Sequence, residues 1–352
     1  MKHVLLPEAG EGVQYYKVNL HNHTTISDGR ISPEEVKERY KSHGYAAVAF
    51  TDHDVFLPHN DLTDEDFVAL NGMELDVSDQ NDAVKNRRAC CHVNYIAMDP
   101  DMTRPVCMHR EKYQWGNAKE HFAEQDLPDD EPDYVRMYSG MGISDMMKRG
   151  REAGFFVIYN HPTWSLETRD QYRGYEGMHA MEIVNYGCVR MGFPEENSHC
   201  YDELLRQGKR IFCVATDDGH HARQPDDPLV DEFGGYVMVA AEKLEYRALT
   251  SALAAGRFYA RTGDSFFEGP EILGITLEDG VVTVKAKGAR TVDMQTGRRK
   301  AARRAALWGE TIDEATFELP AEADCGWFRI ILQDERGFRA YSNAYFLDEY
   351  ED

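Results

Sequence analysis

The sequence predicts an α/β protein, a closed β/α barrel followed by a small antiparallel β-sandwich. Short continuous apolar runs, such as YAAVAF at 45–50 and FFVIY at 155–159, alternate with helical segments. That is the pattern of parallel strands buried on both faces and linked by right-handed crossovers. Histidines and acids recur just after these runs, and β/α barrels carry their active sites at the carboxyl ends of the strands. Beyond about residue 268 the pattern shifts to period-two alternation.

At 352 residues the chain is long for one ordinary domain. A barrel domain over 1–267 and a β-domain over 268–352 are expected, since single cores stop growing near roughly 250 residues. The net charge of −23 argues against nucleic acid as a partner, because backbone binding needs Lys and Arg to neutralise phosphates. The one basic run, Arg298 to Arg304, reads as a solvated face. Seven cysteines without a Cys-x-x-Cys read as reduced thiols, which points to the cytoplasm. The first residues, MKHVLLPEAGEG, are too weakly apolar for a signal peptide, and no run is long enough to span a membrane. The expected partner is a small-molecule substrate. The sequence sets no oligomeric state.

In chain order, residues 1–17 read as a lead-in strand or arm. Lys17 to Leu20 is a short strand ending at His21. Ser32-Pro33-Glu34-Glu35 opens a helix, with serine as N-cap, proline at the first position and Glu35 completing a capping box. Gly44 stops it. Tyr45 to Phe50 is a buried strand running into Asp52-His53-Asp54. Asp64 to Leu70 reads as a short helix, and Asn71-Gly72 as a turn before Met73-Glu74-Leu75. Cys91 to Ala97 is a strand carrying His92. Residues 99–142 read as an acidic, irregular insertion, placed to cover a pocket. A helix at Ile143 to Ala153 precedes the strand Phe155 to Tyr159, which ends in Asn160-His161-Pro162. Ala180 to Val184 and Arg210 to Ala215 are further strands, separated by a helix at Cys200 to Gln207. The second of them ends in Thr216-Asp217-Asp218-Gly219-His220-His221. Gly235 to Val239 and a helix at Leu244 to Ala255 complete the barrel. The hairpin signal Asp279-Gly280 within Ile275 to Gly288 opens the β-domain. Strands at Thr316 to Leu319, Trp327 to Asp334 and Ala340 to Leu347 follow.

Each polar signal is weak alone. The ordered set is strong: His21, His23, Asp28, His53, Glu74, His92, His161, Asp218 and His220 all lie on or just after expected strands. Imidazole and carboxylate together suit Zn²⁺, Mn²⁺ or Fe²⁺ better than Mg²⁺ or Ca²⁺. Asp52 reads as the acid that orients a ligand histidine, and Arg30, with Arg190 and Arg223 as alternatives, as a cation for an anionic substrate. Tyr159, Trp164 and Tyr186 are candidates to pack a leaving group.

The order H-x-H, S-D-G, T-D-H, a G-x-E variant, a strand histidine, N-H-P and D-x-H resembles the polymerase-and-histidinol-phosphatase (PHP) superfamily over roughly residues 18–260. The resemblance implies a distorted seven-stranded barrel with two or three divalent metal ions. It assigns His21, His23, Glu74 and Asp218 to a first metal, Glu74, His92 and His161 to a second, and Asp28, His53 and His220 to a third. The family's Asp-x-His spacing favours Asp218 and His220 over Asp217 and His221. The trailing β-domain, with Gly256-Arg257-Phe258-Tyr259 before it and Tyr341-Ser342-Asn343 near its end, is similar to the branch that includes carbaryl-type carbamate hydrolases. The expected function is metal-dependent hydrolysis by a metal-bridging hydroxide, first of a small phosphate ester. The alternative is a carbamate, ester or amide on the same centre.

Overall fold

The apolar run at 47–50 is buried along its whole length, as its composition requires. A computed structural model, which describes residues 1–10, 12–81, 83–84, 87–319 and 326–350, places it as the third strand of the chain. The strands are β1 (Lys2–Leu6), β2 (Gln14–Asn19), β3 (Ala47–Phe50), β4 (Val68–Ser78), β5 (Cys90–Ala97), β6 (Phe155–Tyr159), β7 (Ala180–Asn185), β8 (Phe212–Thr216), β9 (Gly235–Ala241) and β10 (Phe258–Thr262). They are followed by β11 (Glu271–Glu278), β12 (Val281–Ala289), β13 (Thr291–Thr296), β14 (Ala301–Ala305), β15 (Ile312–Glu318), β16 (Trp327–Gln333), β17 (Arg339–Ser342) and β18 (Tyr345–Phe346).

In the large sheet, β2 through β8 are neighbours in sequence order. The ends of this run meet, for residues just beyond β2 and β8 form a bridge between Asn22 and Gly219. Apolar side chains from β2 to β9 share one core with the helix Tyr246–Ala254, among them Val18, Ala49, Leu70, Phe156 and Val214. A second core lies between β4–β8 and the helices Gly140–Glu152 and Ser198–Arg206. The all-parallel sheet expected from the sequence is corrected: β5 runs antiparallel to both β4 and β6, and β9 antiparallel to β2. β5 therefore runs back along β4 instead of crossing over to a parallel position.

The helix expected at Asp64 to Leu70 is also corrected. The Asp64 side chain caps a local turn by accepting from Asp66 N, and Lys37 and Lys41 hold it at 2.7 and 2.9 Å. Val68 to Leu70 then pair in parallel with Ala47 to Ala49, so burial overrides local preference. Asn71-Gly72 is no turn but lies inside β4, where a Cβ on Gly72 would meet Thr51 and the Tyr95 carbonyl oxygen at 2.9 Å. The expected helix start at Ser32 is present with both halves of its capping box.

A separate antiparallel sheet, ordered β1-β11-β12-β15, packs over β13, β16 and β17 at the far end of the large sheet. The Asp279-Gly280 turn joins β11 and β12 with both residues at positive φ, the geometry of a two-residue hairpin. The first strand crosses the expected boundary near residue 267, because β1 pairs with β11. Part of the basic run forms the edge strand β14, where Arg303 pairs with Asp293 at 2.6 Å. The last expected strand is split into β17 and β18. Among the described residues no helix is long and apolar enough to cross a membrane, and six cysteines are free thiols.

His179 shows how a β6–β7 contact couples to pH. Its Nδ1 accepts from Val157 N at 3.0 Å and its ring stacks on Phe156. Burial, with Arg151 adding, lowers its pKa from 6.5 to about 4. The unfolded chain therefore binds a proton that the fold does not, and stability falls as pH drops from 6.5 towards 4. Urea midpoints measured at pH 7 and pH 4.5 should differ less in His179→Gln than in the parent protein. An equal difference would show that His179 does not contribute.

Candidate metal centre

The local structure that brings the nine polar residues together is simple. β2 ends at Asn19, and His21 and His23 follow on an extended segment. That segment is held by two backbone bonds, Asp218 N to His21 O and His23 N to Gly219 O, both 3.0 Å. β4 overhangs β3, and Glu74 sits on the overhang, bridged to His53. Because β5 runs antiparallel, its amino end lies at the same edge, which puts His92 opposite Asp76. His161 and Asp218 follow β6 and β8 with φ of 21° and 53°. Side chains rarely hold such backbone angles without support from their surroundings.

Glu74 is the hub. One of its oxygens lies 3.3 Å from His21 Nε2, 3.1 Å from His92 Nδ1 and 3.4 Å from His161 Nε2. The other lies 3.4 Å from His23 Nε2 and 3.1 Å from His53 Nδ1. Asp218 Oδ1 is 3.1 Å from His21 Nε2 and 3.0 Å from His23 Nε2. At the mouth, Asp28 stands 3.6 Å from His23 Nδ1, 3.9 Å from His53 Nε2 and 3.5 Å from His220 Nε2. His23, Asp28, His53 and His220 thus form one group with ligand spacing. His21, His23 and Glu74 form a second, and His53, Glu74 and His92 a third.

These donors fit divalent metal ions. His21 Nε2 and His23 Nε2 approach to 3.1 Å and both lie close to Asp218 Oδ1, a convergence of imidazole and carboxylate donors on one point that a cation would fill. His23 Nδ1 and His53 Nδ1 are buried without a hydrogen-bond partner. Burial alone would neutralise Glu74 and Asp218, yet the surrounding imidazoles hold both far below the usual carboxylate range. Burial likewise opposes charging of His21, but Asp218, Glu74 and Glu182 raise it to about 10. Buried anions that draw protons onto their neighbours are sites that a cation would satisfy.

The structure also sorts the adjacent pairs. Asp217 turns away and accepts from Phe233 N, Gly234 N, Gly235 N and the Tyr40 hydroxyl. His221 pairs with buried Glu232 at 2.6 Å. Asp218 and His220 face the cluster.

Asp52 is a correction. Its carboxylate accepts from Thr24 N, Thr24 Oγ1, Ser27 N and Ser27 Oγ, with no histidine among its hydrogen bonds. It shapes the loop between His23 and Asp28. Arg30 is exposed at the mouth, its backbone N–H bonded to His220 O. Arg190 stacks on and bonds Tyr186, and Arg223 pairs with Asp227. Tyr159 is spent on Glu167. Trp164 stands edge-on to His92 and His161, with ring centroids 5.3 and 5.0 Å away.

Sequence reasoning missed three contributors. Glu182, on β7 and fully buried, lies 2.7 Å from His21 Nδ1. Asn160 donates to Glu74 at 2.7 Å, and Asn185 to Asp218 at 3.1 Å. A lone acid in the apolar run AMEIVN was the available signal for Glu182. The insertion reaches the site too. Trp115 lies 6.5 Å from the His53 ring, and Asn117 binds the Ser27 and Thr25 carbonyls.

Comparison with known families decides the relationship of this segment. Residues 19–125 match the PHP domain family. The PHP resemblance read from the motifs is therefore shown there. That stretch holds His21, His23, Asp28, His53, Glu74 and His92, while His161, Asp218 and His220 lie beyond it. No curated protein matches the chain. Among solved structures, the chain is similar to a two-domain protein from Bacteroides vulgatus containing a predicted PHP-like metal-dependent phosphoesterase. The identity is 15%, the match covers 98% of this chain and 90% of that one, and the TM-score is 0.43. An amidohydrolase from Chromobacterium violaceum, with bound sulfate and no metal, matches at 14% identity over 60% of this chain and 93% of that one, with a TM-score of 0.37.

Proposed function

We propose that the chain is a metal-dependent hydrolase whose first substrate class is a small phosphate ester. The observation that carries this is the convergence on Glu74 of five imidazoles from four strand ends. In this reading His21, His23, Glu74 and Asp218 hold one metal ion, and Glu74, His92 and His161 hold a second. Asp28, His53 and His220 hold a third if it is present. Bound Zn²⁺, Mn²⁺ or Fe²⁺ would supply Lewis acidity and an activated water near neutral pH.

The protein's own groups define the rest. Glu74 and Asp218 set the charge of the centre. Asn160 and Asn185 fix their oxygens by hydrogen bonds. Arg30, beside Asp28 and exposed, would meet an anion entering at the mouth. Its role is binding, so Arg30→Ala should raise KM for a phosphomonoester about tenfold and leave kcat nearly unchanged, the size of a charged hydrogen bond. An unchanged KM would remove Arg30 from the site.

A second reading, hydrolysis of a carbamate, ester or amide, is favoured by two observations. Arg190 and Arg223 are engaged elsewhere, and the Trp164 indole stands beside the ligand histidines. The test is a screen of p-nitrophenyl phosphate, bis(p-nitrophenyl) phosphate, p-nitrophenyl acetate and an aryl carbamate with each metal ion, using His161→Ala as control. Phosphate-ester turnover without carbonyl turnover supports the first reading, and the reverse supports the second. Turnover that survives His161→Ala overturns both.

A further inference from the structure

The Glu182 carboxylate lies behind His21, on the side away from Glu74, and is completely buried. Four groups converge on it. Oε1 is 2.7 Å from His21 Nδ1 and accepts from Thr216 Oγ1 at 2.5 Å. Oε2 accepts from His161 N and from Asn185 Nδ2, both at 2.9 Å. These four partners come from the ends of four different strands.

The hydrogen-bond inventory decides what Glu182 can do. A backbone N–H and an amide NH₂ are donors only, so Oε2 is an acceptor with both lone-pair directions used. Oε1 is likewise taken by the Thr216 hydroxyl and by His21. A carboxylate with all four acceptor positions filled has none left for a metal ion, although Glu182 lies within ligand spacing of His21 and His161. Its contact with His21 then has one consistent form, in which Nδ1 carries the hydrogen and donates it. With Nδ1 committed to Glu182, Nε2 is the nitrogen that faces the space shared by Glu74, Asp218 and His23, where a bound metal ion would take the place of its proton.

We propose that Glu182 is the positioning residue of this centre. It locks His21 in the Nδ1–H tautomer and, through the His161 backbone N–H, holds His161 at its unusual φ. The sequence had given this role to Asp52, which the structure spends on a loop. The proposal rests on reading the cluster as a metal centre. An oriented imidazole with a buried carboxylate behind it is a better ligand, and loss of such a partner lowers metal affinity by roughly 10- to 100-fold.

The test uses full-length protein with ¹⁵N-labelled histidine, metal-stripped and zinc-loaded. Two-bond ¹⁵N–¹H correlation spectra should show His21 protonated on Nδ1 in both forms. In Glu182→Gln the side-chain NH₂ can donate to Nδ1, so the Nε2–H tautomer should appear in the stripped protein. Zinc affinity by competition titration should fall roughly 10- to 100-fold, with circular dichroism unchanged. An Nε2–H tautomer in the parent protein overturns the proposal without need of a variant, as does Glu182→Gln binding zinc as tightly as the parent. If the parent binds no metal ion, the metal-centre reading fails. The tautomer of the stripped protein then still decides whether Glu182 orients His21.

Discussion

Glu74→Ala is expected to lower kcat/KM by at least ~10³-fold and to strip the protein of tightly bound metal. The figure follows from the several kcal/mol that a metal ion contributes to hydrolysis, at 1.36 kcal/mol per tenfold in rate. Among the described residues Glu74 is the one carboxylate within 3.4 Å of His21, His23, His53, His92 and His161. Removing it leaves those imidazoles without their shared anion, and Asp218 alone cannot serve the His53 and His92 side. Glu74→Gln separates charge from shape, because the amide oxygen can still accept from Asn160 Nδ2. The glutamine variant should therefore melt close to the parent while losing metal and activity like the alanine variant. Metal content by mass spectrometry, thermal melting and turnover of the best substrate from the screen check this. Activity within tenfold of the parent in either variant would contradict the central place given to Glu74.

The centre was legible wherever a polar residue follows an apolar run. His21, His53, His161 and Asp218 stand there, and the run announces the strand end that carries them. Glu74 was visible as an acid at an inward position of a short apolar segment. Glu182 carries the same signal in AMEIVN but belongs to none of the motifs read from the sequence, and so passed as part of a strand. Asp52 shows the opposite failure. Its place after a buried strand suggested an acid behind a ligand histidine, but its carboxylate faces Thr24 and Ser27. Strand direction was not legible either. An apolar run is equally compatible with either direction, and only the pairing with β4 and β6 shows that β5 is reversed. The hairpin of β13 and β14 escaped because its outer strand is polar and largely exposed, so no apolar run marks it.

Arg136 is the point at which the insertion becomes part of the site's architecture. Its guanidinium is buried, donating to Asp54 Oδ1 at 2.5 Å, to the Asp76 carbonyl at 3.0 Å and to the Cys107 carbonyl at 3.3 Å, and it lies over the Tyr113 ring. Asp54 follows His53 directly, sits at φ 57°, and donates its backbone N–H to Glu74 O at 2.9 Å. Asp76 lies two residues beyond Glu74 on the same strand. One cation from the insertion thus ties together the two segments that present His53 and Glu74. Breaking a buried pair from one side leaves the other charge uncompensated, so Arg136→Ala should cost about 3–5 kcal/mol of stability. Asp54→Asn in the same chain removes the stranded charge and should recover more than 1 kcal/mol of that loss, the coupling expected of groups in direct contact. Chemical denaturation of the parent, both single variants and the double variant measures the cycle. If the insertion only covered the pocket, Arg136→Ala would change substrate preference and leave the denaturation midpoint in place. A midpoint that drops and is partly restored by Asp54→Asn assigns the insertion to the framework that sets His53 against Glu74.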